Sequence, residues 1–162
     1  MASQDFADLA VLVAESNTQM ADLTCQLLRG LGVRKIQVAN DAVAASSILR
    51  RGGIDVLMID DALAGLDGTT FTRRLRRSED ENSRQVAVLM MASHPSAASI
   101  ALARDAGITE FLRRPFSAAQ IGEKLGSIVA APRQFVESSG YTGPDRRRRT
   151  GTFTGERRTR AS

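Results

Sequence analysis

Short apolar runs alternate five times with amphipathic stretches over residues 1–131, and this alternation narrows the possible folds more than any other feature. Leu9–Ala14, Lys35–Ala39, Ile54–Ile59, Val86–Ala92 and Thr109–Leu112 read as strands. Three of them are almost uninterrupted apolar, the pattern of strands buried on both faces. Asn17–Leu31, Asp41–Arg51, Gly68–Arg77, Pro95–Ala106 and Ser117–Ala131 carry Ala, Leu, Ile and Val at helical spacing. Gly32, Gly52-Gly53 and Gly107 follow helices, where a left-handed cap residue is wanted. Asn40-Asp41 and Ser117 stand where N-caps belong. Five strand–helix units in a row predict an α/β domain with a doubly wound, five-stranded parallel sheet. Such sheets bind ligands at the carboxyl ends of their strands, so the loops after the first, third, fourth and fifth strands are the place to look for chemistry.

The division expected along the chain is a domain over 1–131, a linker over 132–140 and an arginine-rich tail over 141–162. The 162 residues are 43% hydrophobic and 25% charged, which excludes a wholly disordered chain, a collagen or a coiled coil. The single cysteine, Cys25, excludes a disulfide framework and a cysteine-rich zinc module. Neither Leu9–Ala14 nor Val86–Ala92 is long enough to span a bilayer, and Met1–Asp8 has no secretory pattern. The expectation is a cytoplasmic protein with no membrane insertion. Its net charge of +4 is localised: residues 134–162 hold seven arginines against Glu137, Asp145 and Glu156, while the preceding residues hold fifteen basic and fifteen acidic groups. A basic tail is attached to a neutral domain.

At the end of the third predicted strand stand Asp60 and Asp61, followed by Gly65-Leu66-Asp67-Gly68. Strand, aspartate and then Gly-x-Asp-Gly resembles the phosphoacceptor signature of CheY-like response-regulator receiver domains. The resemblance covers about residues 8–131, including Arg114-Pro115-Phe116 after the fifth strand, and implies the flavodoxin-like fold. Asp60 matches the family's phosphorylated aspartate. Elsewhere the pocket departs from the family. The acidic pair after the first strand is Glu15-Ser16, the Thr/Ser at the end of the fourth strand is Ala92 with Ser93 one place on, and the lysine before Pro-Phe is Arg114.

Each change has a consequence. Mg²⁺ depends on few carboxylates in near-ideal octahedra, so Ser16 weakens a metal at Glu15 and Asp60. Ala92 cannot hydrogen-bond a phosphoryl oxygen, and Ser93 points to the other face. Arg114 is planar and longer than an ammonium group. The pocket is therefore expected to do without a metal cofactor. Two readings of Asp60 stand side by side: a phosphoacceptor, or a vestigial carboxylate which, with Asp61, is now paired with Arg114. Phe111 falls where receivers place an aromatic switch, and equally where a half-buried strand residue belongs. His94, the only histidine, has no second ligand or nucleophile beside it, and no catalytic role is expected.

The segment after Ala131 holds three of the chain's seven aromatics, Phe135, Tyr141 and Phe153. With few aliphatic residues beyond Val136, it is expected to be disordered when free and to act as a binding segment. Tyr141-Thr142-Gly143-Pro144-Asp145-Arg146-Arg147 is followed by Phe153-Thr154-Gly155-Glu156-Arg157-Arg158, a repeat of aromatic, Thr, Gly, acid, Arg, Arg once Pro144 is dropped. A phosphate trap gains nothing from an acid beside its arginines, whereas guanine uses every part. Its O6 and N7 accept a bidentate arginine, its N1–H and amino group suit Asp145 or Glu156, and its face stacks on an aromatic ring or a guanidinium. The remaining arginines, Arg148 and Arg149 among them, are left for phosphates. Two half-motifs fit cyclic di-GMP, and a stacked ligand dimer with four negative charges matches the +4 of residues 134–162.

A degenerate receiver with this tail resembles the Cle group, CheY-like cyclic-di-GMP effectors of flagellated alphaproteobacteria. The resemblance implies a non-enzymatic regulator, recruited to the flagellated pole, that docks on the flagellar motor switch and tunes motility and surface attachment. It points to the helix over Pro95–Ala106, the strand after it and the helix over Ser117–Ala131 as the motor-facing surface. The other classes are a phosphorylated single-domain response regulator using Asp60 and a nonspecific nucleic-acid-binding tail. Dedicated DNA binding is not expected.

Overall fold

In the computed structural model, residues 5–130, 135–138 and 140–145 are described. Five parallel strands, β1 (Ala10–Ala14), β2 (Lys35–Ala39), β3 (Val56–Asp60), β4 (Ala87–Ala92) and β5 (Glu110–Arg113), lie in the order β2-β1-β3-β4-β5. Helices α1 (Thr18–Gly30), α2 (Ala42–Arg50), α3 (Gly68–Arg76), α5 (Ala97–Ala106) and α6 (Ala118–Ala130) cover the two faces. The doubly wound parallel sheet is the architecture that the sequence predicts.

Strand alternation sorts the core into two layers. Leu12, Ala14, Leu57, Ile59, Val88 and Met90 point to one face and pack with Ala45 and Leu49 of α2, Phe71 and Leu75 of α3, and Ala103 of α5. Val11, Val13, Val56, Met58, Leu89 and Met91 point to the other and meet Cys25 and Leu28 of α1 and Ile121 and Leu125 of α6. β3 is buried at every position, which explains its unbroken apolar run.

The caps follow the sequence closely. Asn17 and Asp41 accept the Met20 and Ala44 amides, and Ser117 with Gln120 makes a reciprocal pair at the start of α6. Gly107 ends α5 at φ +107°, a left-handed conformation open to glycine at little cost.

Two elements are additional to the sequence reading. A short helix, α4 (Glu81–Gln85), is held by Asp80, whose carboxylate accepts from the Ser83 amide and hydroxyl. An antiparallel hairpin, β6 (Phe135–Ser138) and β7 (Tyr141–Pro144), pairs Phe135 with Pro144 and Val136 with Gly143. These residues belong to the segment expected to be disordered when free, and the expected boundary between linker and tail at 140/141 falls inside the hairpin. Docking supplies the order: Tyr141, Gly143 and Pro144 are buried against the receiver, where Gly143 approaches Gly107. Arg146 to Arg149, Phe153, Gly155, Glu156, Arg157 and Arg158 lie outside the described residues.

Candidate functional site

The carboxyl ends of β1, β3 and β5 deliver Glu15, Asp60 and Arg114 to one pocket. Asp60 is the last residue of β3, and the loop after it is folded tightly. The Gly68 amide donates to the Asp61 carbonyl at 2.9 Å. A Cβ on Gly68 would stand 2.6 Å from the Asp60 carbonyl oxygen, so only glycine fits there. Asp67 caps α3 by accepting the Thr70 amide at 2.9 Å and the Thr70 hydroxyl at 2.8 Å. The Gly-x-Asp-Gly motif is thus a folding device that places Asp60 at the rim.

Arg114 spans the pocket as a fork. Its Nη2 donates to Glu15 Oε2 at 2.7 Å and its Nη1 to Asp60 Oδ1 at 3.0 Å. All three side chains are nearly or wholly buried, with 9%, 3% and 11% of the Arg114, Glu15 and Asp60 side chains exposed. Arg114 Nε has no hydrogen-bond partner among the described residues. Asp60 Oδ1 also accepts the Ala62 amide at 3.3 Å, and Glu15 Oε1 the Asn17 amide at 3.1 Å. Pairing of Asp60 with Arg114 is as the sequence suggests. The second partner, however, is Glu15 rather than Asp61, because β1 adjoins β3 and projects Glu15 into the reach of the guanidinium.

Burial and charge divide the three carboxylates. Burial tends to raise Asp60, but its hydrogen bonds with Arg114 and Asp61, the Arg114 charge and the Ala62 amide hold it below the ordinary aspartate value of 3.8. Glu15 is pushed above the ordinary 4.5, chiefly by burial and then by the negative charge of Asp60. Asp61 is raised for the same reasons, burial first and then its contact with Asp60. Of the three acids, Asp60 is the one whose carboxylate form the surroundings favour.

The positions that depart from the receiver pattern have local tasks. Ser16 Oγ accepts the Ala64 amide at 2.7 Å and so ties the loop after β3 to the loop after β1. Ala92 is buried, and its carbonyl accepts the Arg114 amide at 2.8 Å. Ser93 and His94 are exposed. Phe111 is half-buried against the core layer containing Leu57 and Met90.

At the opposite end of the sheet lies a second buried arginine, which sequence reasoning missed. Arg76 is 2% exposed. Its Nε donates to the Gly107 carbonyl at 2.9 Å and its Nη1 to the Arg84 and Val86 carbonyls at 2.7 and 2.6 Å. The Phe135 ring of the hairpin covers it, with its centroid 5.7 Å from the guanidinium carbon. A signal was available: Gly68, Thr72 and Arg76 follow one another at i, i+4 and i+8 on the buried face of α3.

A doubly wound parallel sheet with an aspartate at the end of β3 and acidic and basic partners from β1 and β5 defines a receiver-type signalling domain. The chain belongs to the response regulator receiver domain family, which matches residues 11–126. It is 29% identical over 121 residues to chemotaxis protein CheY-3 of Vibrio cholerae, covering 75% of this chain and 92% of that protein. It is 28% identical over 120 residues to chemotaxis protein CheY of Pseudomonas aeruginosa, covering 74% and 95%. Among solved structures, the receiver domain of a sensor histidine kinase from Pseudomonas aeruginosa superposes with a TM-score of 0.69 at 25% identity, covering 76% of this chain and 98% of that one. That domain was crystallised with a magnesium ion coordinated in its active-site cleft. A response regulator from Chloroflexus aurantiacus shares the fold, with a TM-score of 0.69 at 22% identity, covering 75% and 98%. No helix among the described residues is long and apolar enough to cross a membrane.

Proposed function

We propose that this receiver is a non-enzymatic regulator that captures cyclic di-GMP with its arginine-rich C-terminal segment and thereby changes how it docks on the flagellar motor switch. The observation that carries the reading is the Arg114 fork. A receiver that runs on phosphorylation needs a divalent cation among its carboxylates. Here Glu15 and Asp60 are engaged at 2.7 and 3.0 Å by a guanidinium that brings its own positive charge, and Ser16 stands where a further acidic ligand is wanted. The residues present do not fit magnesium. A pocket already occupied by its own cation favours an input elsewhere, and the chain's whole charge excess sits in its last 29 residues.

In that segment Asp145, Arg146, Arg147, Glu156, Arg157 and Arg158 would read guanine edges, while Arg148 and Arg149 would take phosphates. A stacked pair of ligands would be held between the half-motifs. The CheY proteins to which this chain is similar are chemotaxis proteins, which supports a motor-facing output.

A second reading, phosphorylation of Asp60, draws support from one feature: Asp60 ends β3 and its carboxylate is held ionised. Two measurements separate the readings. NMR titration of the full chain with cyclic di-GMP in excess single-stranded RNA should perturb residues 136–160 and leave the parallel sheet largely still. Displacement by the RNA would mark a nonspecific polyanion site. Intact-mass analysis with a small phosphodonor and magnesium should give no phosphoryl adduct, and an adduct lost in Asp60→Asn would establish the second reading.

A further inference from the structure

The docked hairpin gives Tyr141-Thr142-Gly143-Pro144 tasks that involve no ligand. Tyr141 is 9% exposed, and its hydroxyl donates to the Pro144 carbonyl at 2.7 Å. A Cβ on Gly143 would come within 2.7 Å of that hydroxyl and 3.0 Å of the Gly107 Cα. A Cβ on Gly107 would meet the Thr142 carbonyl oxygen at 3.0 Å and Arg76 Cγ at 2.8 Å. Two glycines, one from the receiver and one from the hairpin, therefore let the backbones touch, and Phe135 closes over Arg76 beside them.

A ring buried to this degree has no open face on which a purine can stack. While the hairpin is docked, the first half-motif lacks its aromatic residue. Resting on the proposed function, we propose that the β6–β7 hairpin is a latch released by the ligand. When cyclic di-GMP is gripped by the first half-motif as well as the second, Tyr141 leaves its seat and the hairpin leaves the receiver.

The docked state is built to be reversible. A two-stranded hairpin is marginal without a surface to lean on, and this one leans on a cation held, among the described residues, by three carbonyl oxygens and the Phe135 ring. Burial pulls the Arg76 guanidinium down to about 10, so release returns water to a charge that lacks it. A ligand shifts such an equilibrium by its difference in affinity for the two states. Release uncovers Arg76 and Gly107 at the amino-terminal end of β4 and β5, away from Asp60. Ligand capture would thus change a face of the receiver without passing through its pocket.

The test uses the full chain and Phe135→Ala, which loosens the latch outside both half-motifs. Calorimetry with cyclic di-GMP should show the variant binding about three- to tenfold tighter, because more chains are already competent. In the wild-type chain, titration should shift the Gly107 amide and the Arg76 Nε–H signals. Binding with equal or weaker affinity in the variant, with both signals still, would overturn the latch and leave tail binding standing. Failure of either chain to bind would remove the proposed function and the latch together.

Discussion

Arg114 and Arg76 are both buried, at opposite ends of one sheet, and they are held by different chemistry. Arg114 lies between two carboxylates, so its charge is neutralised and it ties β1, β3 and β5 together. Among the described residues Arg76 meets three carbonyl oxygens and an aromatic ring, so there its charge is solvated by dipoles rather than paired with an acid. The contrast separates a lock from a seat. An arginine paired with carboxylates is costly to disturb and resists a change of partner. One held by neutral groups tolerates a cover that comes and goes. The pocket that the family uses for input is the lock, and the seat lies under the segment that leads into the basic tail.

The largest expected effect is at the lock. Arg114→Ala strands Glu15 and Asp60 in a buried pocket, and urea unfolding at neutral pH should show a loss of about 3–5 kcal/mol. A loss below about 1 kcal/mol would mean that the fork is ornamental. Next comes the seat. Arg76→Met deprives three carbonyls, those of Gly107 and Val86 buried and that of Arg84 partly so, of their donor and should cost about 2–3 kcal/mol, with faster amide exchange in Phe135–Pro144. The two losses should respond differently to acid. The Arg114→Ala deficit should shrink as Glu15 and Asp60 take up protons, while the Arg76→Met deficit should stay flat, since its acceptors are carbonyls. Equal pH responses would erase the distinction drawn between the two sites.

The sign at the pocket can be checked directly. Glu15 and Asp61 are raised in the folded chain, so their contribution is full below their ordinary values and is lost as pH rises through the folded ones. Asp60 is lowered, so its contribution is lost only as pH falls through its folded value, below 3.8. Stability should therefore decline as pH rises from 4.5 toward neutral, and Glu15→Gln should flatten that slope. The smallest effect is at the hairpin: Tyr141→Phe removes the bond to the Pro144 carbonyl and should cost about 1 kcal/mol of local protection, read by hydrogen exchange at β7.

The sheet was legible because buried parallel strands leave almost unbroken apolar runs and because Asn17, Asp41 and Gly107 mark helix ends. Strand starts slipped by one or two residues where a side chain ends the ladder, as Asp55 does by accepting the Ala10 amide at 2.9 Å. The short helix was invisible because Glu-Asn-Ser-Arg-Gln has no apolar period. The hairpin was invisible for a different reason. Phe135, Val136 and Tyr141 are too few to form a core of their own, and their order depends on Arg76 and Gly107, distant in sequence. Arg114 was identifiable as the partner of Asp60 because both stand at the carboxyl ends of predicted strands, where such a sheet gathers its pocket. That Glu15 rather than Asp61 completes the fork depends on strand order, which no local pattern encodes.

The central claim is that the tail, rather than the pocket, receives the signal. Isothermal calorimetry of the full chain with cyclic di-GMP, compared with Arg147→Ala and Arg158→Ala, tests it most directly. The account predicts that each substitution weakens binding more than tenfold, as loss of a bidentate charged pair should. Unchanged affinity in both variants would contradict it.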